Sequence, residues 1–152
     1  MLTLSSEGIQ AVGGFFILVE NLKIYKEKNT IMELKDILNE IQEKVDSKRQ
    51  KGEKFEKLMK NWFLTTKLYA DDIKKIWLWN EFPYKNQFGG SDSGIDIVIH
   101  NQEDEFIAVQ CKFYSPNAEI SKSDVDTFIS TSAKLFEVNG KKKKFLGRVF
   151  VS

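Results

Sequence analysis

Two short segments in the second half of the chain alternate apolar and polar residues, and a period of two predicts strands. In Gly94–His100, Ile95, Ile97 and Ile99 share one face, with Asp96, Val98 and His100 on the other. In Phe106–Phe113, the apolar face is Ile107, Val109, Cys111 and Phe113, and Gln110 and Lys112 lie together on the opposite face. The connection between them, Asn-Gln-Glu-Asp-Glu at 101–105, is short and polar, which predicts an antiparallel hairpin. Counting back from that turn sets Asp96 roughly opposite Val109 or Gln110. A carboxylate, an amide oxygen and an ammonium then converge at one end of a sheet. An acid inside Ile-Asp-Ile-Val is costly to bury unless something binds it.

The rest of the chain supplies a frame for that hairpin. Its 152 residues fit one domain, and twelve Phe, three Trp and four Tyr are ample material for a core. Residues 1–31 read as an N-terminal extension of unassigned structure, because Gly13 and Gly14 interrupt any continuous helix. From Met32, the residues Leu34, Ile37, Leu38, Ile41 and Val45 fall at helical spacing as far as about Lys48. The polar stretch 46–52 either separates this helix from a second or bends one long helix. In the second segment Phe55, Leu58, Met59, Trp62 and Phe63 form the buried stripe. A strand is expected over Ile76–Trp79, then the hairpin, then a helix capped by Ser121 or Ser123 and running to about Phe136. Asn139-Gly140 turns the chain into a last strand, Phe145–Val151. The order α-α-β-β-β-α-β predicts an α/β layered fold, with helices against a small mixed sheet.

The composition narrows the chemistry. One cysteine (Cys111) and one histidine (His100) exclude an intrachain disulfide framework and a His/Cys metal cluster. A bound metal must therefore have oxygen ligands, which points to Mg²⁺ or a similar hard ion. With 23 Lys and Arg against 22 Asp and Glu, the net charge is +1, so any grip on nucleic acid must be local or lie elsewhere in a larger protein. The apolar run at 13–19 is shorter than the roughly 20 residues a membrane span needs and lacks a basic flank, so the expectation is a cytoplasmic protein without a membrane partner.

Phosphodiester cleavage can use the converging set. Asp96 and the Gln110 side-chain oxygen can ligate Mg²⁺, and the backbone carbonyl of Cys111 can add a third oxygen. Lys112 can position a nucleophilic water and stabilise charge on the phosphorane. A further acid would come from the preceding helix. At about 100° per residue, Glu56 sits beside Phe63 at the edge of the apolar stripe, and Glu53 about 60° further out, so Glu56 faces the sheet.

These residues carry a resemblance. Gly90-Ser91-Asp92-Ser93-Gly94-Ile95-Asp96-Ile97-Val98, followed by Ala108-Val109-Gln110-Cys111-Lys112-Phe113-Tyr114, resembles the D…QxK form of the PD-(D/E)xK nucleases, and within them the Mrr-like restriction endonuclease domains. Gly52-Glu53-Lys54-Phe55-Glu56 resembles the helix that bears their extra glutamate. Ile76-Trp77-Leu78-Trp79-Asn80-Glu81-Phe82-Pro83 with Gly89-Gly90 is similar to the N-terminal nuclease domain of type ISP restriction–modification enzymes or related helicase-like proteins.

The resemblance covers about residues 32–152 and implies a restriction-endonuclease-like three-layer fold with a four-stranded mixed sheet. It implies cleavage of double-stranded DNA with Mg²⁺, or Mn²⁺ in its place. Asp96 and Gln110 would be metal ligands, Lys112 the catalytic lysine and Glu56 the auxiliary acid. It further implies helicase-like and methyltransferase domains downstream, through which alone ATP would be used. The chain ends inside an apolar strand, as the first part of a longer polypeptide would. Gln110 stands where most of the superfamily has an acid, which weakens the expected hold on Mg²⁺.

Plainer readings apply elsewhere. Asp92 lies in Gly-Gly-Ser-Asp-Ser-Gly and reads as turn chemistry. His100 reads as structural, and Lys141–Lys144 as a solvated hairpin tip. Trp77, Trp79 and Phe82 read as core residues rather than a base-stacking platform. Two competing functions remain: a nuclease fold that has lost catalysis and serves as a DNA-binding or docking module, and an interaction domain using Phe15–Val19.

Overall fold

The expected hairpin forms the middle of a four-stranded sheet. The structure, a computed structural model, describes residues 2–5, 8–11, 23–26, 30–89, 93–113 and 121–151. Within the first 33 residues two antiparallel pairs occur, β1 (Leu2–Ser5) with β2 (Gly8–Ala11) and β3 (Lys23–Lys26) with β4 (Thr30–Glu33). The segment 15–19 lies outside the described residues. Helix α1 spans Leu34–Lys44, so the expected start at Met32 falls instead within β4.

Residues 45–47 break the helical run, and Ser47 caps α2 (Lys48–Thr65), its hydroxyl accepting from the Gln50 amide at 3.5 Å. Of the two readings of 46–52, separate helices is the correct one. Phe55, Met59, Trp62 and Phe63 are the buried residues of α2, and Leu58 packs beside them. Each such side chain contributes about 1.5–3 kcal/mol when taken fully out of water.

After a short helix α3 (Lys67–Ala70) come β5 (Ile73–Leu78) and two 3-10 turns, Trp79–Glu81 and Lys85–Phe88. Strands β6 (Ile97–Asn101) and β7 (Phe106–Cys111) follow, then α4 (Lys122–Ser132), the pair β8 (Phe136–Val138) and β9 (Lys141–Lys143), and β10 (Phe145–Val151). The sheet order is β10-β7-β6-β5, with β10 parallel to β7 and the other neighbours antiparallel. A parallel pair needs a crossover, and α4 with the β8–β9 hairpin supplies it.

The sheet divides two cores. On one face Ile97, Ile99, Val109, Cys111, Val149 and Val151 meet the buried stripe of α2. On the other, Val98, Ala108 and Phe150 meet Phe128 of α4 and the aromatic group Phe82, Phe88, Phe106, Phe136 and Phe145. The result is a three-layer α/β fold around a mixed four-stranded sheet.

Three local expectations need correction. Ile95 does not share a face with Ile97 and Ile99; it packs with Val98 in the second core, because regular strand begins only at Ile97. Helix α4 ends at Ser132, and Phe136 opens a strand instead of closing a helix. Asn139 and Gly140, both at positive φ (50° and 77°), form the tight turn of β8–β9. His100 is structural: its ring stacks on Phe106 at 4.3 Å, and its Nε2 meets Asp104 Oδ1 at 2.7 Å.

Candidate active site

The approach to β6 is built from a tight turn. The Ser93 hydroxyl accepts from the Ile95 amide at 3.1 Å and donates to the Ile95 carbonyl at 3.2 Å. Gly94 has φ 65°, and a Cβ there would lie 3.0 Å from the Phe128 amide nitrogen and 3.1 Å from its Cα. Glycine is therefore required twice over, by backbone conformation and by the close approach of α4. This turn sends Ile95 into the second core and leaves Asp96 at the mouth of the strand.

Asp96 is clamped across the two central strands. Its amide donates to the Val109 carbonyl at 2.8 Å, and its Oδ2 accepts from the Cys111 amide at 2.7 Å. Gln110 follows on β7 and is 2% exposed, with a buried Oε1 that has no hydrogen-bond partner among the described residues. A buried, unsatisfied amide oxygen is costly and is seldom left so without reason. Cys111 turns its thiol into the apolar core, and burial, then the charges of Asp96 and Glu56, push that thiol's pKa well up. It has no place as a nucleophile.

Lys112 lies just beyond β7, its backbone amide donating to the Val151 carbonyl at 2.8 Å. Its ammonium donates to Asp124 Oδ1 at 2.9 Å, and both side chains are about one-third exposed. Asp124 sits in the first turn of α4, where its Oδ2 accepts from the Ser121 hydroxyl at 2.7 Å. Ser121, not Ser123, is the helix cap, accepting from the Asp124 amide at 3.2 Å.

Glu56 comes from α2 on the opposite wall. Burial chiefly, and the neighbouring Glu53 next, raise its pKa above the ordinary carboxylate range, while Lys57 pulls it back. The four expected side chains, Glu56, Asp96, Gln110 and Lys112, line one cleft of about 910 Å³, which Cys111 also borders. Lys48, Arg49 and Lys57 of α2 line it as well, as do Leu78, Trp79 and Asn80 after β5. A Cβ placed at Gly52, on the same helix, would meet nothing within 4 Å.

Among the described residues no group of three or more His, Cys, Asp and Glu is placed to hold a metal. The donor set at the strand ends differs from such a cage: one carboxylate, one amide oxygen and main-chain carbonyls, all hard oxygen donors suited to Mg²⁺. The orphaned Oε1 of Gln110 fits a ligand role, since a cation would satisfy it.

Sequence reasoning missed Asp124 and the cationic α2 wall. A Ser followed three residues later by Asp is helix-start chemistry, so nothing at 121–124 signals a partner for a lysine twelve positions earlier. Asp92 lies outside the described residues.

Comparison with known proteins bears on the fold and the family. No curated protein matches the sequence. Among solved structures, an ATP-dependent Type ISP restriction-modification enzyme, LlaBIII, bound to DNA, is similar at 20% identity with a TM-score of 0.54. The match covers 76% of this chain and 6% of that one, so the likeness is one of fold over a small part of a much larger protein. Residues 64–152, more than half of the chain, match the family model Mrr_cat_2, described as a restriction endonuclease. With the mixed sheet, its two flanking layers and the cleft at the β6–β7 strand ends, the chain belongs to the Mrr_cat_2 restriction endonuclease family.

Proposed function

We propose that this chain is a metal-dependent endonuclease domain that hydrolyses phosphodiester bonds of double-stranded DNA in the cytoplasm. Asp96, Gln110 Oε1 and the Cys111 carbonyl would hold Mg²⁺, or Mn²⁺ in its place. When bound, the ion supplies Lewis-acid polarisation of the scissile phosphate and makes its water more acidic. Asp96 is aimed by its bond from the Cys111 amide, so the carboxylate needs little reorganisation. Lys112 donates its ammonium hydrogens to a non-bridging phosphate oxygen and stabilises the charge that grows as water adds to phosphorus. One P–O ester bond breaks, and the departing oxygen takes up a proton. Glu56, with its raised pKa, stands at the cleft wall as the auxiliary acid.

The observation that carries this reading is the buried Oε1 of Gln110, without a hydrogen-bond partner among the described residues, in a cleft that Asp96 and Lys112 also line. By analogy with the Type ISP neighbour, the domain would work in a larger ATP-dependent restriction–modification enzyme, with ATP used by helicase-like domains and a methyltransferase domain alongside. No helix among the described residues is long and apolar enough to cross a membrane.

The test is cleavage of plasmid DNA with Mg²⁺ or Mn²⁺, with Asp96→Ala and Lys112→Ala assayed alongside. Metal-dependent cutting by the parent that both substitutions abolish supports the reading. Cutting that survives both assigns the activity elsewhere. DNA binding without cutting, in the parent and both variants, favours a fold that has lost catalysis and serves as a docking module.

A further inference from the structure

Asp124 is unaccounted for by the reaction as set out above, yet it lines the same cleft and holds the lysine. We infer that Asp124 is a positioning residue that fixes the Lys112 ammonium at the cleft, an inference that rests on the nuclease reading. Lys112 enters the cleft on a rigid root, since its amide is bonded to Val151 of the neighbouring strand. Its side chain beyond that root is a flexible four-carbon stem. An anchor at its tip converts the stem into a fixed donor.

The anchor is itself held on both sides. Asp124 Oδ1 takes the ammonium at 2.9 Å, and Oδ2 takes the Ser121 hydroxyl at 2.7 Å. The residue stands in the first turn of α4, where the helix N-terminus favours a carboxylate. That helix is seated in turn: Phe128 is fully buried, and its backbone meets the turn at Gly94 that leads to Asp96. One helix thus supports both the turn that leads to Asp96 and the acid that orients Lys112. An ammonium carries three hydrogens, of which a bond to Asp124 uses one. Without Asp124, the ammonium loses the acceptor that holds it at 2.9 Å.

The experiment compares the parent chain with Asp124→Ala, which removes the acceptor, and Asp124→Asn, which keeps an oxygen there. Duplex cleavage is measured with Mn²⁺, together with the rate at which an amine-acylating reagent labels Lys112, read by mass spectrometry. The expected result is a kcat loss on the order of tenfold to a hundredfold in Asp124→Ala, with KM for DNA little changed. Asp124→Asn should restore most of the rate, and Lys112 should label faster in the alanine variant than in the parent. A purely structural role for Asp124 allows asparagine rescue through the Ser121 bond but predicts no selective change in labelling at Lys112. Parental kcat in Asp124→Ala, or unchanged labelling of Lys112 there, overturns the inference while leaving the nuclease reading intact. A parent chain that cuts no DNA overturns both.

Discussion

Replacing Gln110 with methionine should make the metal-free protein more stable, although the change lies in the centre of the cleft. Gln110 is 2% exposed and its Oε1 has no hydrogen-bond partner among the described residues, so folding strips an acceptor of water and none of them replaces it. A buried acceptor left unsatisfied costs about 1–3 kcal/mol. Methionine matches the length of glutamine, carries no such acceptor and adapts to an irregular site. Against that gain stands the loss of whatever hydrogen bonding the Gln110 amide nitrogen makes, about 0.5–1.5 kcal/mol for a typical bond. The net expectation is a gain of about 1 kcal/mol, or a rise of roughly 2–4 °C in Tm for a chain of this size.

The assay is urea unfolding in EDTA and again in Mg²⁺. An ion that binds the folded state at ten times its Kd stabilises by about 1.4 kcal/mol, and Gln110→Met should lose most of that increment. A variant less stable than the parent in EDTA would mean that the oxygen has a partner in the folded protein. Equal stabilisation of both proteins by Mg²⁺ would show that Oε1 is not a ligand.

Other perturbations test the frame around the cleft. Gly52→Ala should stabilise by about 0.5–1 kcal/mol in thermal or urea unfolding, since alanine is the better helix former and its Cβ meets no atom within 4 Å. Gly94→Ala should destabilise by about 1–3 kcal/mol, because it combines positive φ with a clash on the backbone of Phe128. Asp104 has its pKa lowered to about 2 by hydrogen bonds from Lys143 and His100. Between that value and the ordinary 3.8 the unfolded chain binds more protons, so its contribution is present above 3.8 and is lost as pH falls toward 2. Asp104→Asn should therefore flatten the acid limb of a stability–pH profile, an effect that salt weakens because the group is exposed. Asparagine also tolerates the positive φ of 63° at that position.

Much of the sheet was legible because period-two alternation reports a face directly. Ile97 and Ile99 against Val109 and Cys111 needed no tertiary information to be matched, and the observed pairing of Ile97 with Val109 follows from the five-residue turn. Alternation failed at Ile95 because Gly94 at positive φ and the Ser93 turn reset the direction of the chain just before the strand. The same residues that break the pattern are those that deliver Asp96 to the cleft. Phe136 misled for a different reason. Its spacing from Phe128 suits a helix, while the Asn139-Gly140 turn closes a hairpin back onto Phe136–Val138.

Glu56 could be placed from angle alone, since α2 is regular and its buried stripe is unambiguous. Asp124 could not, because its contact with Lys112 depends on how α4 lies against the sheet. Nor could the cationic wall of Lys48, Arg49 and Lys57, which reads along the chain as an ordinary solvated helix face. Four cationic and four carboxylate side chains line the cleft, the latter being Glu53, Glu56, Asp96 and Asp124, so the cleft itself is close to neutral. Bound Mg²⁺ would leave the cleft positive, and DNA affinity should accordingly rise with the ion and fall steeply with salt, measurable by fluorescence anisotropy.

The central claim is that Asp96 and Gln110 hold a divalent cation at the strand ends, and Mn²⁺ binding followed by electron paramagnetic resonance tests it without requiring turnover. A Mn²⁺ site is expected in the parent chain, retained in Lys112→Ala, weakened in Gln110→Met and lost in Asp96→Asn. Binding of equal strength in the parent and Asp96→Asn would contradict the claim.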